Sequence, residues 1–125
     1  MGLPVVHFEI SGTEPGALRD YYAGLFEWRF DPPGNAATTS VSADGNYHFV
    51  QADSAGVNGG VGGGPGYQSR VLFYVSVPDV EEALARAERL GGKRVMGPEP
   101  ARGDFTVGHF QDPEGNLLGV AGPSA

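Results

Sequence analysis

Apolar and polar positions follow the same order twice along the chain. Residues 5–11 are β-branched and aromatic with short alternation, which predicts a strand. Apolar residues then recur at helical spacing up to Leu25, and Pro15 suits the first turn of that helix. The second copy predicts a strand over residues 71–77, followed by a helix that Asp79 caps.

Shorter strands are predicted after each helix. In the first copy they cover residues 28–30, 47–52 and 57–61, with a hairpin turn at residues 44–46. Residues 38–42 are also predicted as extended, either as a strand of their own or as the tail of the strand before them. In the second copy they cover residues 94–96, 105–111 and 117–121. Each copy is therefore strand, helix and then about three strands, which places the chain in the α+β class.

Individual residues of the two copies also match. When the first strands are superposed, Phe8 falls on Phe73; when the last strands are superposed, Gly60 falls on Gly119. An internal repeat indicates a pseudo-symmetric structure, and we expect its site where the copies meet.

The chain of 125 residues, 40% of them hydrophobic, has the size of one domain with a real core. We predict a single domain over 1–125: module one about 3–62, a glycine-rich linker 62–68, and module two about 69–122. No apolar run approaches the ~20 residues that span a bilayer, so no membrane partner is expected. Without a basic segment leading into an apolar stretch, we expect a cytoplasmic protein.

Charge and cysteine content exclude several kinds of chemistry. Fifteen acidic residues outnumber eight basic ones, giving a net charge of −7, which argues against a nucleic-acid partner. The acidity fits simple solubility, or a negative cleft that attracts a cation. The absence of cysteine excludes disulfides, thiolate metal sites and cysteine nucleophiles.

The ordered set of motifs resembles the vicinal oxygen chelate superfamily, which contains glyoxalases, bleomycin-resistance proteins and extradiol dioxygenases. The motifs are His7-Phe8-Glu9-Ile10, Tyr21-Tyr22-x-x-Leu25-Phe26-x-Trp28, Asn58-Gly59-Gly60-Val61, Val77-x-Asp79-Val80, Leu90-Gly91-Gly92 and Phe110-x-Asp112-Pro113-Glu114-Gly115-Asn116. The resemblance implies two tandem βαβββ modules that form a half-open barrel around a central pocket. It also implies a homodimer.

The resemblance implies four metal-ligand positions, and most of them carry no ligand here. His7 matches the first of these positions, whereas Leu72, Gly60 and Gly119 match the other three. Leucine and glycine side chains cannot bind a metal ion, and catalytic sites keep about three protein ligands. We therefore expect no metal site and no cofactor.

Strand alternation predicts which side chains share the pocket with His7. Glu9 lies on the same face, and a buried carboxylate needs a partner. We expect Glu9 to pair with Arg70 or a histidine, or to face a wet cavity. Leu117 accompanies Gly119 on the last strand, and the resemblance to extradiol dioxygenases implies an acid/base role for His109.

Further aromatic and imidazole groups complete the candidate set. Tyr47, Phe49 and Tyr74 are expected at the pocket mouth. The repeat sets His48 on the strand face that corresponds to that of His109, and its place next to a hairpin predicts that it lies at the surface. Tyr21, Tyr22, Phe26 and Trp28 are expected in core or dimer packing. The predicted ligand-binding residues are His7, Glu9, Tyr47, Phe49, Leu72, Tyr74, His109 and Leu117. The predicted catalytic residues are His109, Glu9 and His7.

Three functions stay open at this point. The first is a metal-independent protein of the bleomycin-resistance type that binds a cationic or aromatic small molecule. The second is a metal-free lyase, isomerase or hydrolase in which His109 and Glu9 exchange protons. The third is a glyoxalase-like enzyme with a divalent metal whose ligands include His48 or His109. Whether the protein is an enzyme is undecided by the sequence.

Overall fold

A computed structural model describes residues 2–36, 38–100 and 105–123. The chain divides into two compact units: His7–Val71, and the residues up to Val6 together with those from Leu72 onward. The N-terminal segment joins the second unit through a hydrogen bond from Ser76 N to Pro4 O of 2.9 Å. The predicted α+β class is confirmed.

The first unit contains a small sheet and a long helix. Its elements are β1 (Val5–Gly12), α1 (Pro15–Phe26), β2 (His48–Val50), α2 (Ala52–Ala55) and β3 (Gly59–Gly63), with the unit boundary inside β1. The strand order is β2-β3-β1, in which β3 is parallel to β1 and antiparallel to β2. The proline at the start of α1 has its φ angle already set for a helix.

The second unit follows the predicted pattern closely. Its elements are β4 (Arg70–Ser76), α3 (Val80–Arg89), β5 (Lys93–Pro100), β6 (Phe105–Gln111) and β7 (Leu117–Pro123), with the unit boundary inside β4. The strand order is β4-β7-β6-β5. On this sheet the fully buried Leu84 of α3 packs into a core with neighbouring valines.

The two modules share one topological feature that positions the site. In each, the last strand lies between the first strand, to which it is parallel, and one antiparallel strand. Thus β3 corresponds to β7, β1 to β4, and β2 to β6. Among the described residues, the predicted third strand after the helix is present only in module two, as β5.

Module one departs from the prediction between its helix and its last strand. Residues 28–30 form no strand, and Phe30 makes only an isolated bridge to Val50. The predicted strand 38–42 is wrong, because Thr38 binds the amides that follow it: Val41 N to its carbonyl at 3.1 Å and Ser40 N to its hydroxyl at 3.2 Å. Threonine side chains compete with strand pairing in this way. The predicted hairpin at residues 44–46 therefore lacks its first strand, and α2 was not predicted.

The two long helices differ in how they begin. Asp79 caps α3, as predicted, by accepting a hydrogen bond from Glu82 N at 3.1 Å. Glu14 precedes α1 and makes no side-chain cap. Among the described helices, none is both long enough and apolar enough to pass through a bilayer.

Candidate functional site

A buried chain of hydrogen bonds links three side chains of module one. His7 Nε2 lies 2.9 Å from the hydroxyl of Tyr47, and that hydroxyl donates to Glu9 Oε1 at 2.9 Å. Tyr47 and Glu9 are only 2% and 3% exposed. Because the phenol has a single proton and gives it to the carboxylate, its oxygen accepts from His7 Nε2–H. This arrangement selects the imidazole tautomer that leaves Nδ1 as an acceptor.

Burial keeps His7 uncharged at neutral pH. It lowers the pKa of His7 from its ordinary 6.5 to about 4, since an imidazolium would lose hydration there. A neutral histidine with a defined tautomer can accept a proton at one ring nitrogen while the other stays hydrogen-bonded.

Module two contains a buried tyrosine–histidine pair of the same kind. The hydroxyl of Tyr74 lies 2.7 Å from His109 Nε2. The two residues are 4% and 1% exposed. Phenol and imidazole are therefore paired in both modules, although the tyrosine and the histidine come from different strands.

Each tyrosine ring covers a glycine of the last strand. A Cβ atom at Gly60 would overlap the ring of Tyr47, and a Cβ atom at Gly119 would overlap the ring of Tyr74. Gly119 pairs with Tyr74 on one side and with His109 on the other. These glycines are therefore required by the close packing of a ring against the last strand.

The same two glycines occupy positions where the superfamily resemblance places metal ligands. In this protein the space beside each is filled by a phenol ring, and the hydroxyl of that ring engages a histidine nitrogen. Leu72, at a further ligand position, is buried and apolar. Within the described ranges, no three or more His, Cys, Asp or Glu residues are grouped to hold a metal ion.

His48 differs from its prediction in both place and exposure. It is 9% exposed rather than at the surface, and it pairs with Val61, whereas Phe49 pairs with Gly60. Phe49 is therefore the counterpart of His109. Adjacent residues of a strand point to opposite faces, which explains the error of one residue. His48 Nδ1 has no hydrogen-bond partner within the described part of the chain, and the pKa of His48 is lowered mainly by burial.

Glu9 is hydrogen-bonded to Tyr47, a residue that was predicted at the pocket mouth. Arg70 forms no ion pair with Glu9, and Tyr47 supplies a hydrogen bond instead. Tyr47 and Tyr74 are buried and do not line an open mouth. Phe49 is partly exposed and meets Tyr47 edge to face, with ring centroids 4.7 Å apart. Leu117 is also partly exposed.

The aromatic residues after β1 form a cluster at the surface of the first unit. Tyr22 stacks on Phe26 and on Trp28, with ring centroids 5.9 Å apart in both pairs. The ring of Phe8 on β1 packs against Trp28, with ring centroids 5.2 Å apart. Tyr21 and Phe26 are more than half exposed, so the prediction of core packing is wrong for these two, and dimer packing stays a prediction.

Solved structures with the same fold include proteins of several descriptions. A hypothetical protein from Bacillus halodurans has 13% identity and a TM-score of 0.70, with 100% of this chain and 97% of that chain covered. Methylmalonyl-CoA epimerase from Mycobacterium tuberculosis has 12% identity and a TM-score of 0.65, with 97% and 88% covered. A glyoxalase/bleomycin resistance protein/dioxygenase superfamily member from Vibrio splendidus has 15% identity and a TM-score of 0.56, with 97% and 99% covered. At these identities the likeness defines the fold.

The fold and the paired modules define a protein of the vicinal oxygen chelate superfamily. The sequence profile described as "Glyoxalase-like domain" matches residues 7–121. The chain belongs to the glyoxalase-like domain family. No curated protein matched the sequence.

Proposed function

We propose that the protein binds a small molecule without using a metal ion. The observation that carries this proposal is the pair of tyrosine rings packed over Gly60 and Gly119, with their hydroxyls on His7 and His109. A metal centre needs free donor atoms at a common point. Here the rings fill two ligand positions, and His7 Nε2 is directed at a phenol.

Metal analysis tests the first half of the proposal. The purified protein is stripped with a chelator, reloaded with Zn²⁺, Ni²⁺ or Fe²⁺, and measured by elemental analysis and calorimetry. We expect no stoichiometric binding. The double variant Tyr47→Ala/Gly60→Glu removes the ring and adds a carboxylate near His7 and Glu9, and we expect it to gain metal affinity by at least about tenfold. Tight stoichiometric binding by the unmodified protein would refute the proposal.

The ligand we propose is cationic or aromatic. The net charge of −7 favours a cation over an anion at long range, and the partly exposed Phe49 offers apolar contact beside Tyr47. One similar structure is described as a glyoxalase/bleomycin resistance superfamily member. Calorimetric titration with bleomycin as a cationic probe should show saturable binding that weakens in Glu9→Gln. Absence of heat and of any change in Trp28 fluorescence would count against this ligand class.

A second function, metal-free acid/base catalysis, is favoured by the hydrogen-bonded chain of module one. His7 is neutral, its tautomer is defined, and its hydrogen bonds lead to the carboxylate of Glu9. Such a chain can take up and return a proton. One similar structure is a methylmalonyl-CoA epimerase. In this function His109 and Glu9 exchange protons with the substrate, and His7 orients it.

Solvent deuterium exchange tests the catalytic function. Carbonyl compounds and thioesters with an acidic α-proton are incubated with the protein in deuterated buffer, and incorporation is followed by mass spectrometry. We expect incorporation to fall by at least about tenfold in Glu9→Gln and in His109→Ala. An activity that survives in both variants would remove these residues from catalysis.

We also propose a cytoplasmic homodimer. The second unit leaves Leu3, Val5 and Phe73 exposed by 58%, 50% and 41%, and exposed apolar groups favour association. Light scattering after gel filtration should give the mass of a dimer, and Phe73→Lys should shift it toward a monomer. Leu90→Lys is the matched control, because Leu90 is 71% exposed at the end of α3. A monomer at micromolar concentration would contradict the assignment.

A further inference from the structure

The first unit contains a cleft that the proposed function does not use. It has a volume of about 620 Å³ and lies among the end of β1, the first half of α1 and the start of β4. Its apolar lining includes Leu18 and Val71. The rings of Tyr21 and Tyr22 also line it and pack edge to face, with ring centroids 5.2 Å apart. Val71 and Tyr21 are exposed by 68% and 61%, so apolar and aromatic surface is accessible in the cleft.

Arg70 is the cationic group of this cleft, and its charge is not neutralised by the described chain. Three described basic residues are partly buried: Arg19, Arg70 and Arg94. Arg19 pairs with Asp20 at 2.7 Å, and Arg94 pairs with Glu81 at 2.7 Å. Arg70 forms no ion pair with any acidic residue of the described ranges. A partly desolvated guanidinium presents a fork of donors that matches a carboxylate or a phosphate.

We propose that this cleft binds an amphiphilic anion, in which one carboxylate or phosphate sits on an aromatic or aliphatic body. Arg70 receives the anionic group, while Val71, Leu18 and the tyrosine pair cover the apolar body. A bidentate contact gives orientation, and the apolar walls give area.

Glu14 limits which anions the cleft accepts. Its carboxylate also lines the cleft, and it makes no ion pair with Arg70. One nearby negative charge disfavours polyanions more than monoanions, because repulsion grows with ligand charge. The expected ligand therefore carries a single anionic group.

Titration with 4-phenylbutyrate and octanoate tests the proposal. Trp28 is the only tryptophan and stacks on Tyr22, so its fluorescence reports binding in the cleft, and calorimetry measures the affinity independently. We expect saturation with a dissociation constant at or below about 1 mM. The corresponding neutral amides and alkylammonium ions should bind at least about tenfold more weakly. An amide that binds as tightly as the acid, or no saturation by either acid, would overturn the proposal.

Three variants assign the effect to Arg70. Arg70→Gln should weaken both acids by at least about tenfold, whereas Glu14→Gln should strengthen them about two- to threefold. Arg86→Gln is the matched control, because Arg86 is exposed on α3 and lies outside the cleft. Unchanged binding in Arg70→Gln, with circular dichroism showing a folded protein, would refute the assignment.

The outcome is separable from that of the proposed function. Glu9→Gln and Tyr47→Phe should leave the binding of 4-phenylbutyrate unchanged, because neither residue lines the cleft. Conversely, Arg70→Gln should leave metal analysis and bleomycin titration unchanged. If Glu9→Gln abolished binding of both probes in a folded protein, the second site would be refuted.

Discussion

The two modules reach the same packing from exchanged residues. In module one the histidine comes from the first strand, β1, and the tyrosine immediately precedes β2. In module two the tyrosine comes from the first strand, β4, and the histidine from β6, which corresponds to β2. A phenol ring covers the glycine of the last strand in both. In both modules a tyrosine ring fills the space beside the glycine, and its hydroxyl is hydrogen-bonded to a histidine. The strand positions that supply these two residues are exchanged.

Module one adds a carboxyl group to its histidine–tyrosine pair. In module one the hydrogen bonds continue to a buried carboxylate, Glu9, whose repeat counterpart is Tyr74 itself. The hydrogen bonds of module one therefore join an imidazole, a phenol and a carboxyl group.

The largest effect is expected from adding a methyl group at the two covered glycines. Gly60→Ala and Gly119→Ala should each lower the free energy of unfolding by about 3 kcal/mol, because the new Cβ overlaps a buried ring. Urea unfolding followed by circular dichroism measures this loss. The double variant Gly119→Ala/Tyr74→Leu should regain most of it. A cost near zero at either glycine would show that the ring does not require it.

Removal of the tyrosine hydroxyls should distinguish the two modules. Tyr47→Phe removes a hydrogen bond to a carboxylate as well as one to histidine, so we expect a loss of about 2 kcal/mol. Tyr74→Phe removes the hydrogen bond to His109, and we expect a loss of about 1 kcal/mol. Both values come from chemical denaturation at pH 7. Equal losses would contradict the contrast between the modules.

The neutral state of His7 predicts a dependence of stability on pH. The pKa of His7 is about 4 in the folded state and near 6.5 when the chain is unfolded, so the unfolded state binds more protons between these values. Stability is fully present above pH 6.5 and is lost as the pH falls toward 4. After allowance for partial exposure we expect a loss of about 1–2 kcal/mol.

Unfolding curves at pH 7 and at pH 4.5 check this dependence. His7→Gln should flatten the profile. The slope that remains reports on His48, whose pKa burial also lowers, and near pH 4.5 on Glu81 and Asp112, whose pKa values are lowered by hydrogen bonds. If His7→Gln retained the full slope, the effect would belong to other groups.

The smallest change in stability is expected from a substitution in the helix of module one. Gly24 lies inside α1, where a Cβ atom would meet no other described atom within 4 Å, and its backbone needs no left-handed conformation. Gly24→Ala should therefore stabilise the protein by about 0.5–1 kcal/mol. It serves as the control for the two covered glycines, because the same substitution has the opposite sign. A destabilisation at Gly24 would mean that α1 is constrained by contacts outside this chain.

Local patterns predicted module two far better than module one. The strand at residues 105–111 was predicted with both of its limits correct, and the cap at Asp79 was predicted from its residue type. The prediction for module one failed at Thr38, because hydrogen bonds to its side chain and its carbonyl fold this β-branched segment into a turn. Local propensity could not decide this, because it depends on competition between the turn and strand pairing.

The sequence by itself determined the repeat, the α+β class, the family and the identity of the residues at the ligand positions, since these follow from composition and order along the chain. Only the tertiary structure decided what fills the space beside Gly60 and Gly119, and that Tyr47 joins His7 to Glu9. The residues of that chain come from separate segments, and an error of one residue in register, as for His48, reverses the face on which a side chain lies. Contacts between segments depend on register and packing, which no local pattern specifies.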